Sequence, residues 1–166
     1  LRLAPLKQLM ALESLSDADM VNFQRGQLLD AAAPNPSVET LLHAFLPHKF
    51  IDHTHAWAVL AITDQPDGDT ICAEVYGDRA ALVPYIMPGF ALARKCAEIH
   101  AADPTLEGLI LLKHGVFTFG ETARQAYERM IEAVTLVEAR LRAGRRPVFV
   151  TGSVPQRLLP ASEIAP

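Results

Sequence analysis

Apolar residues recur with helical spacing in several stretches of the chain. The first thirty residues alternate short apolar and polar runs and predict two short helices, followed by a connector over residues 31–36. Ser37 is a good N-cap residue, and the helix predicted after it ends near Leu46 because Pro47 cannot continue it. Its apolar positions at i, i+3, i+4 and i+7 are Val38, Leu41, Leu42 and Phe45.

Two longer helices are predicted in the second half. One runs from Gly89 to His100 and is ended by the Asp103–Pro104 pair. The clearest helix begins at Thr122, which has capping-box spacing to Gln125, and ends at Gly144. Its predicted apolar stripe consists of Ala126, Tyr127, Met130, Ile131, Val134, Val137 and Leu141.

Runs of β-branched and apolar residues predict the strands. Ile51 to Thr63 predicts a buried strand with room for a helical turn inside, and Thr70 to Tyr76 predicts another after a turn. Gly108 to Lys113 predicts a strand buried on both faces, Val116 to Phe119 a second short strand, and Pro147 to Thr151 a last one. Strands that alternate with helices indicate an α/β layered fold.

Composition narrows the class of protein. The chain has 166 residues and a net charge of −4, with half of its residues hydrophobic and a fifth charged. These values exclude a disordered tail, a coiled coil and a collagen-like rod, and the mild acidity argues against a nucleic-acid partner. No apolar run is long enough to span a membrane. Cys72 and Cys96 lie far apart without a C-x-x-C motif, so we expect a reduced, cytoplasmic protein.

His53 and His55 form an H-x-H motif on the first predicted strand. Side chains at i and i+2 of a strand point to the same face, so both imidazoles can reach one metal ion. Asp52 is a candidate acceptor that orients one ring. The motif is short, and ordinary surface or core histidines remain the alternative.

His114 follows the predicted strand GLILLK, at the strand end where ligands bind in open α/β sheets. Gly115 next to it allows a close approach of the backbone. The alternative is a histidine that only caps the strand. With His53 and His55 it suits a three-histidine zinc site with an open fourth position, which would also accept manganese, iron or cobalt.

Glu39 is the candidate acid/base. It is predicted in the first turn of a helix, where the helix dipole favours a carboxylate, and His43 lies on the same face. A first-turn acid that only stabilises the helix is the alternative. Trp57 stands alone among alanines and is predicted to be a core residue rather than a substrate platform.

Three segments, PSVETLLHAFLPHKFIDHTHAWAVLAIT, YIMPGFALARKCAE and GLILLKHGVFTFGETARQAYERMIE, resemble the class II aldolase/adducin family. Within it they are most similar to the aldolase half of bifunctional aldolase/short-chain dehydrogenase proteins of the rhamnulose-1-phosphate aldolase/lactaldehyde dehydrogenase type. P-S-x-E, H-x-H and LLKHG in this order carry the resemblance, which covers most of residues 36–151. It implies a three-layer α/β/α fold with a central mixed sheet.

The resemblance assigns roles to five residues. His53, His55 and His114 match the family's zinc ligands, and Glu39 matches the glutamate that acts as acid/base and approaches the metal in the absence of substrate. Ser37 matches a serine that helps to hold the substrate phosphate. The neighbouring position, where the family often has a second serine, is Val38.

The activity implied by the resemblance is zinc-dependent cleavage of a ketose 1-phosphate, such as rhamnulose 1-phosphate, to dihydroxyacetone phosphate and an aldehyde such as lactaldehyde. Relatives of the same fold are sugar-phosphate epimerases, dehydratases or decarboxylases. Adducin-type members keep the fold without the metal and serve as interaction modules. The three histidines weigh against that last alternative.

The family normally begins with a G-N-x-S-type phosphate-binding segment, which is not found after Leu1. We therefore expect residues 1–166 to be one class II aldolase-like domain that is incomplete at its N-terminus. It is expected to be active only if the missing segment is dispensable.

Residues 147–166 resemble the segment that leads toward a dehydrogenase domain, which would hold NAD. Family members are generally tetramers with active sites between subunits, so Tyr85 or Tyr127 is a candidate to reach a neighbour's site.

Overall fold

The structure is a computed structural model that describes residues 1–144. Single 3₁₀ turns lie at Leu9–Ala11 and Gly77–Arg79. The helices are α1 Leu3–Gln8, α2 Asp17–Gly26, α3 Thr40–Phe45, α4 Trp57–Thr63, α5 Gly68–Tyr76, α6 Phe90–Ala102 and α7 Ala123–Ala143. The strands are β1 Phe50–Thr54, β2 Ala80–Val83, β3 Gly108–Leu111 and β4 Gly115–Gly120.

The four strands form one mixed sheet in the order β1–β4–β3–β2. β2 and β3 are parallel and are joined through α6, as a parallel pair requires a crossover. β4 is antiparallel to both β3 and β1, and the β1–β4 register places His53 opposite Phe117. The predicted central mixed sheet is confirmed.

Apolar residues on both faces of the sheet form two separate cores. Alternation along β3 sends Leu109 and Leu111 to one face and Ile110 to the other. The first face is covered by α1, α2, α3 and α6. The second is covered by α4, α5 and α7. Helices on both faces make the three-layer α/β/α arrangement that the resemblance implies.

The helix predictions hold best where caps are strong. Thr122 accepts a hydrogen bond from the Gln125 amide at 3.1 Å and starts α7, and Gly144 ends it, as predicted. The predicted stripe of α7 is too wide, because Tyr127 and Ile131 are exposed. α3 begins only at Thr40, three residues after the predicted cap.

One predicted strand is wrong, and another is shorter than predicted. Thr70 to Tyr76 is helical and belongs to α5, where Cys72 and Tyr76 are buried four residues apart, and the Tyr76 hydroxyl donates to the Ala133 carbonyl of α7. Ile51 to Thr63 divides into β1 and α4 instead of one long strand. β2 was not predicted, because Ala80–Val83 is short and alanine-rich and becomes a strand by pairing with β3.

The predicted strand Pro147–Thr151 lies outside the described residues. Within residues 1–144, no helix is long and apolar enough to cross a membrane.

A second pair of histidines lies away from the H-x-H motif. The Nε2 atoms of His48 and His100 are 2.7 Å apart, and the His48 ring stacks on Phe119. Burial lowers the pKa of His48 below its usual value, with Arg129 adding to this and Glu121 opposing it. Burial and the neighbouring His48 also lower the pKa of His100, against the attraction of Asp103. The pair therefore favours the neutral state.

We expect the free energy of unfolding to fall as the pH decreases from about 7.5 to about 5.5. A histidine with a lowered folded-state pKa binds protons more readily in the unfolded chain, so its contribution is complete above the unfolded value of about 6.5 and is lost at lower pH. Urea denaturation at several pH values measures this. A His100→Phe variant should show a shallower pH dependence, and an unchanged one would contradict the role of the pair.

Candidate metal centre

Three short segments supply the four side chains of the candidate centre. β1 carries His53 and is followed directly by His55. His114 stands in the tight turn between β3 and β4, where its amide donates to the Leu111 carbonyl at 3.1 Å. Glu39 occupies the N-cap position of α3. The β1–β4 pairing brings the H-x-H motif next to the turn that holds His114.

One carboxylate oxygen lies among the three imidazoles. Oε1 of Glu39 is 2.8 Å from Nε2 of His114, 3.3 Å from Nε2 of His53 and 3.4 Å from Nε2 of His55. The Nε2 atoms of His53 and His55 are 2.9 Å apart. All four ligand atoms lie within 4.8 Å of one another.

The hydrogen bond that orients His53 comes from the backbone. Its Nδ1 lies 3.0 Å from the Val116 carbonyl, an acceptor, so Nδ1 carries the proton and Nε2 presents a lone pair. Asp52, predicted as the orienting acceptor, does not have this role, because neighbouring strand residues point to opposite faces. Burial is the main cause that lowers the pKa of His53, which favours the neutral, metal-binding form.

The donor set fits a divalent metal ion. The lone pair of His53 faces Oε1 of the charged Glu39 carboxylate at 3.3 Å, and a cation between these two acceptors would remove their repulsion. Ligands of a tetrahedral zinc ion, at about 2.0–2.1 Å, lie about 3.3–3.4 Å from one another. The distances from Glu39 to His53 and His55 match this spacing, and the two shorter contacts would lengthen slightly. Imidazole and carboxylate ligands suit zinc, manganese, iron and cobalt.

Glu39 is held in the charged form. Burial raises the pKa of its carboxyl, but the hydrogen bond from His114, the electrostatic influence of the nearby His53 and the hydroxyl of Ser37 together bring this pKa below its usual value. Ser37 donates to Oε2 at 3.2 Å and accepts from the Glu39 amide at 3.1 Å. Ser37 therefore fixes the conformation of the Glu39 carboxylate. It does not cap the backbone amides of the first turn of α3.

Gly115 makes the close approach of β1 and the turn possible. A Cβ at this position would lie 2.5 Å from the Thr54 carbonyl oxygen, 3.1 Å from the His55 ring and 3.2 Å from the His53 ring. A side chain here would push against the backbone of β1 and against two imidazoles at once. The LLKHG motif thus contains the candidate ligand His114 and a glycine that leaves room for the rings of His53 and His55.

The centre is open to solvent on one side. The side chains of His114 and His53 are only 8% and 10% exposed, whereas that of His55 is 55% exposed. Trp57, two residues after His55, is 89% exposed and not a core residue, which corrects the prediction. A ligand can therefore approach from the side of His55.

The predicted site residues Glu39, His53, His55 and His114 come together in the structure, with Ser37 on Glu39. Phe117 was not predicted to have a part in the site. It is fully buried, and its ring stacks on His53 at 3.9 Å with an interplanar angle of 13°. Phe117 lies next to His53 because the two residues pair in the β1–β4 register, and the H-x-H motif alone does not contain this register.

The family pattern described as "Class II Aldolase and Adducin N-terminal domain" matches residues 7–141. The chain belongs to this family. Its match spans all four residues of the candidate centre and all elements from α3 to β4. Members of this family share the fold described above, so the Glu39–histidine cluster lies in a domain of class II aldolase type.

Two similar proteins are larger than this chain. Over 138 residues the chain is 38% identical to the uncharacterized oxidoreductase YuxG of Bacillus subtilis (strain 168), covering 83% of this chain and 20% of that protein. It is 36% identical to the N-terminal class II aldolase domain of a conserved protein from Thermoplasma acidophilum, with a TM-score of 0.79 and coverage of 85% and 65%. The chain thus spans about a fifth of the one and about two thirds of the other.

A more distant structure has the same fold. The sugar-phosphate aldolase from Thermotoga maritima is 22% identical and has a TM-score of 0.57, with coverage of 69% of this chain and 58% of that one. At this identity the likeness concerns the fold alone.

Proposed function

We propose that this chain is the metal-dependent aldolase domain of a lyase that cleaves a ketose 1-phosphate, of the rhamnulose 1-phosphate type, to dihydroxyacetone phosphate and an aldehyde such as lactaldehyde. The observation that carries the proposal is the convergence of three imidazole nitrogens on one carboxylate in a half-buried centre. Family membership supports the reaction class.

Glu39 is the group that moves the proton. In the cleavage direction the charged Glu39 carboxylate accepts the proton of the hydroxyl on the aldehyde side as the carbon–carbon bond breaks, which leaves an electron pair on the hydroxyl-bearing carbon of dihydroxyacetone phosphate. The protonated carboxyl of Glu39 then donates to that carbon. In the reverse direction, the carboxylate removes the same proton. Its charged resting state suits it as a base, and such assistance is typically worth about 10²–10⁴-fold.

His53, His55 and His114 would hold the metal ion, which when bound supplies positive charge that stabilises negative charge developing on substrate oxygens by several kcal/mol. Three neutral imidazoles leave the full charge of the ion available. The burial of His53 and His114 reduces screening by water around the reacting atoms. Ser37, exposed beside Glu39, would contact the substrate phosphate.

A coupled assay tests the reaction. With rhamnulose 1-phosphate and added Zn²⁺, Mn²⁺ or Co²⁺, we expect release of dihydroxyacetone phosphate, measured with glycerol-3-phosphate dehydrogenase and NADH, and its loss on chelation. Exchange of the dihydroxyacetone phosphate C–H proton in D₂O, followed by NMR, tests the Glu39 step alone. Absence of both from metal-loaded protein would contradict an aldolase, and a rearranged or dehydrated sugar phosphate would indicate a different enzyme of this fold.

The parent protein is proposed to be larger. The coverage of only 20% of YuxG and its description as an oxidoreductase support a fusion with a short-chain dehydrogenase domain, which would hold the NAD. We propose a cytoplasmic homo-oligomer that acts on a small sugar phosphate, with no membrane or nucleic-acid partner. Tyr85 and Tyr127, both exposed, remain candidates for contacts with a neighbouring subunit.

A further inference from the structure

We propose that Phe117 and His43 are positioning residues that fix the proposed metal ligand His53 and the acid/base Glu39 relative to each other. Neither residue touches the centre of the ligand cluster. Together with His53 they form a column of three rings, His43–Phe117–His53, which joins helix α3 to strand β1 through strand β4. This inference rests on the proposed function of the centre.

The first contact of the column fixes the plane of His53. Phe117 is fully buried and lies opposite His53 in the β1–β4 register, and the two rings stack at 3.9 Å and 13°. The hydrogen bond from Nδ1 to the Val116 carbonyl holds one edge of the same imidazole. A ring held on its face and at one edge keeps its Nε2 directed at the other ligands, as partners of metal-bound histidines generally do.

The second contact joins the column to the helix that carries Glu39. The ring of His43 lies 5.5 Å from the Phe117 ring at 62°, an edge-to-face arrangement. His43 stands one turn after Glu39 in α3, and its amide lies 3.4 Å from the Glu39 carbonyl oxygen. Movement of Phe117 would therefore affect both the imidazole of His53 and the start of α3.

The column matters most when a metal ion is bound. The Glu39 carboxylate is otherwise held by Nε2 of His114 at 2.8 Å and by the Ser37 hydroxyl at 3.2 Å, and a metal ion would take the His114 nitrogen. The ring contacts do not use Nε2 of His53, so they do not compete with a metal ion for that nitrogen. Together with the Ser37 hydrogen bond, they would keep the carboxylate near His53, where Oε1 and Nε2 are 3.3 Å apart.

β4 itself offers a matched control for Phe117. Phe119, two residues on and on the same face, is also fully buried and stacks on a histidine, His48, at 4.7 Å and 3°. That histidine is not part of the cluster. Phe117→Leu and Phe119→Leu therefore remove the same ring from the same strand and core, and only the first contacts a proposed ligand.

Titration with Co²⁺, read by visible absorption, measures the affinity and the ligand geometry without turnover. We expect Phe117→Leu to weaken Co²⁺ binding by about 10–100-fold and to change the absorption bands, whereas Phe119→Leu keeps both close to wild type. Equal Co²⁺ affinity and spectra in the two folded variants would overturn the role of Phe117. Failure of the wild type to bind Co²⁺ would instead overturn the proposed metal centre and this inference with it.

His43 is tested by replacing its ring and by removing it. His43→Ala should lower the rate of proton exchange in dihydroxyacetone phosphate, with the loss in kcat and little change in KM, because Glu39 is displaced. His43→Phe keeps an aromatic edge against Phe117 and should restore most of the rate. If His43→Phe is as slow as His43→Ala, the positioning role is wrong and the imidazole itself is required.

Discussion

A His114→Ala variant should bind no stoichiometric divalent metal. His114 is the least exposed of the three imidazoles and comes from a different part of the chain than the H-x-H motif, so its loss leaves only the two imidazoles of that motif. Glu39, the fourth donor of the cluster, loses its 2.8 Å contact with His114 in the same variant, so the carboxylate is less well fixed to complete a three-ligand set. Because changes in residues that only support a ligand already cost about 10–100-fold in metal affinity, loss of a ligand should cost more.

Metal content after dialysis, measured by mass spectrometry, and titration with Co²⁺ decide this prediction. His48→Ala is the control, because His48 is also a histidine of the first-face core but lies outside the cluster. The control should keep the wild-type metal content. Retention of one metal ion per chain by His114→Ala would show that the ligand assignment is wrong, as would a wild-type chain that takes up no divalent ion on addition.

A Glu39→Gln variant should keep the metal and lose about 10²–10⁴-fold in turnover. The amide has nearly the same shape as the carboxylate and can still bond to Ser37, but it cannot accept and return a proton at pH 7. The three histidines are unchanged, so the metal content should remain close to one ion per chain. The variant thus separates proton transfer from metal binding.

The exchange of the dihydroxyacetone phosphate proton in D₂O is the most direct readout of this loss. Glu121→Gln serves as the control, because Glu121 is an exposed carboxylate beside His48 and not beside the cluster. If Glu39→Gln exchanges the proton within a few-fold of the wild-type rate, another group is the acid/base.

The sequence was most informative where one local signal determines an element. The capping residue of α7, the breaks around α6 and the apolar run of β3 predicted these elements within a few residues. The motifs also identified the four side chains that meet in the cluster. Their contact depends on strand pairing, because Glu39 and His114 are 75 residues apart in the chain and 2.8 Å apart in space.

The errors arise where tertiary contacts override local preference. Thr70–Tyr76 is rich in β-branched residues and predicts a strand, yet burial of Cys72 and Tyr76 on one helix face against α7 makes it helical. Trp57 is apolar but begins α4 at its exposed end. The role of Val116 as the acceptor for His53 depends on a backbone carbonyl, which no side-chain motif encodes.

The order of strands in the sheet has a consequence for folding. β3 and β4 are neighbours in the chain and can pair as a hairpin at a small cost in loop entropy, whereas pairing of β1 with β4 joins Phe50 to Gly120. Long-range pairings close large loops and are slow to form. We therefore expect the hairpin with His114 to form early, and His53 and His55 to reach it later, when β1 pairs with β4. A metal ion that binds all three histidines would stabilise only the state in which β1 is paired with β4.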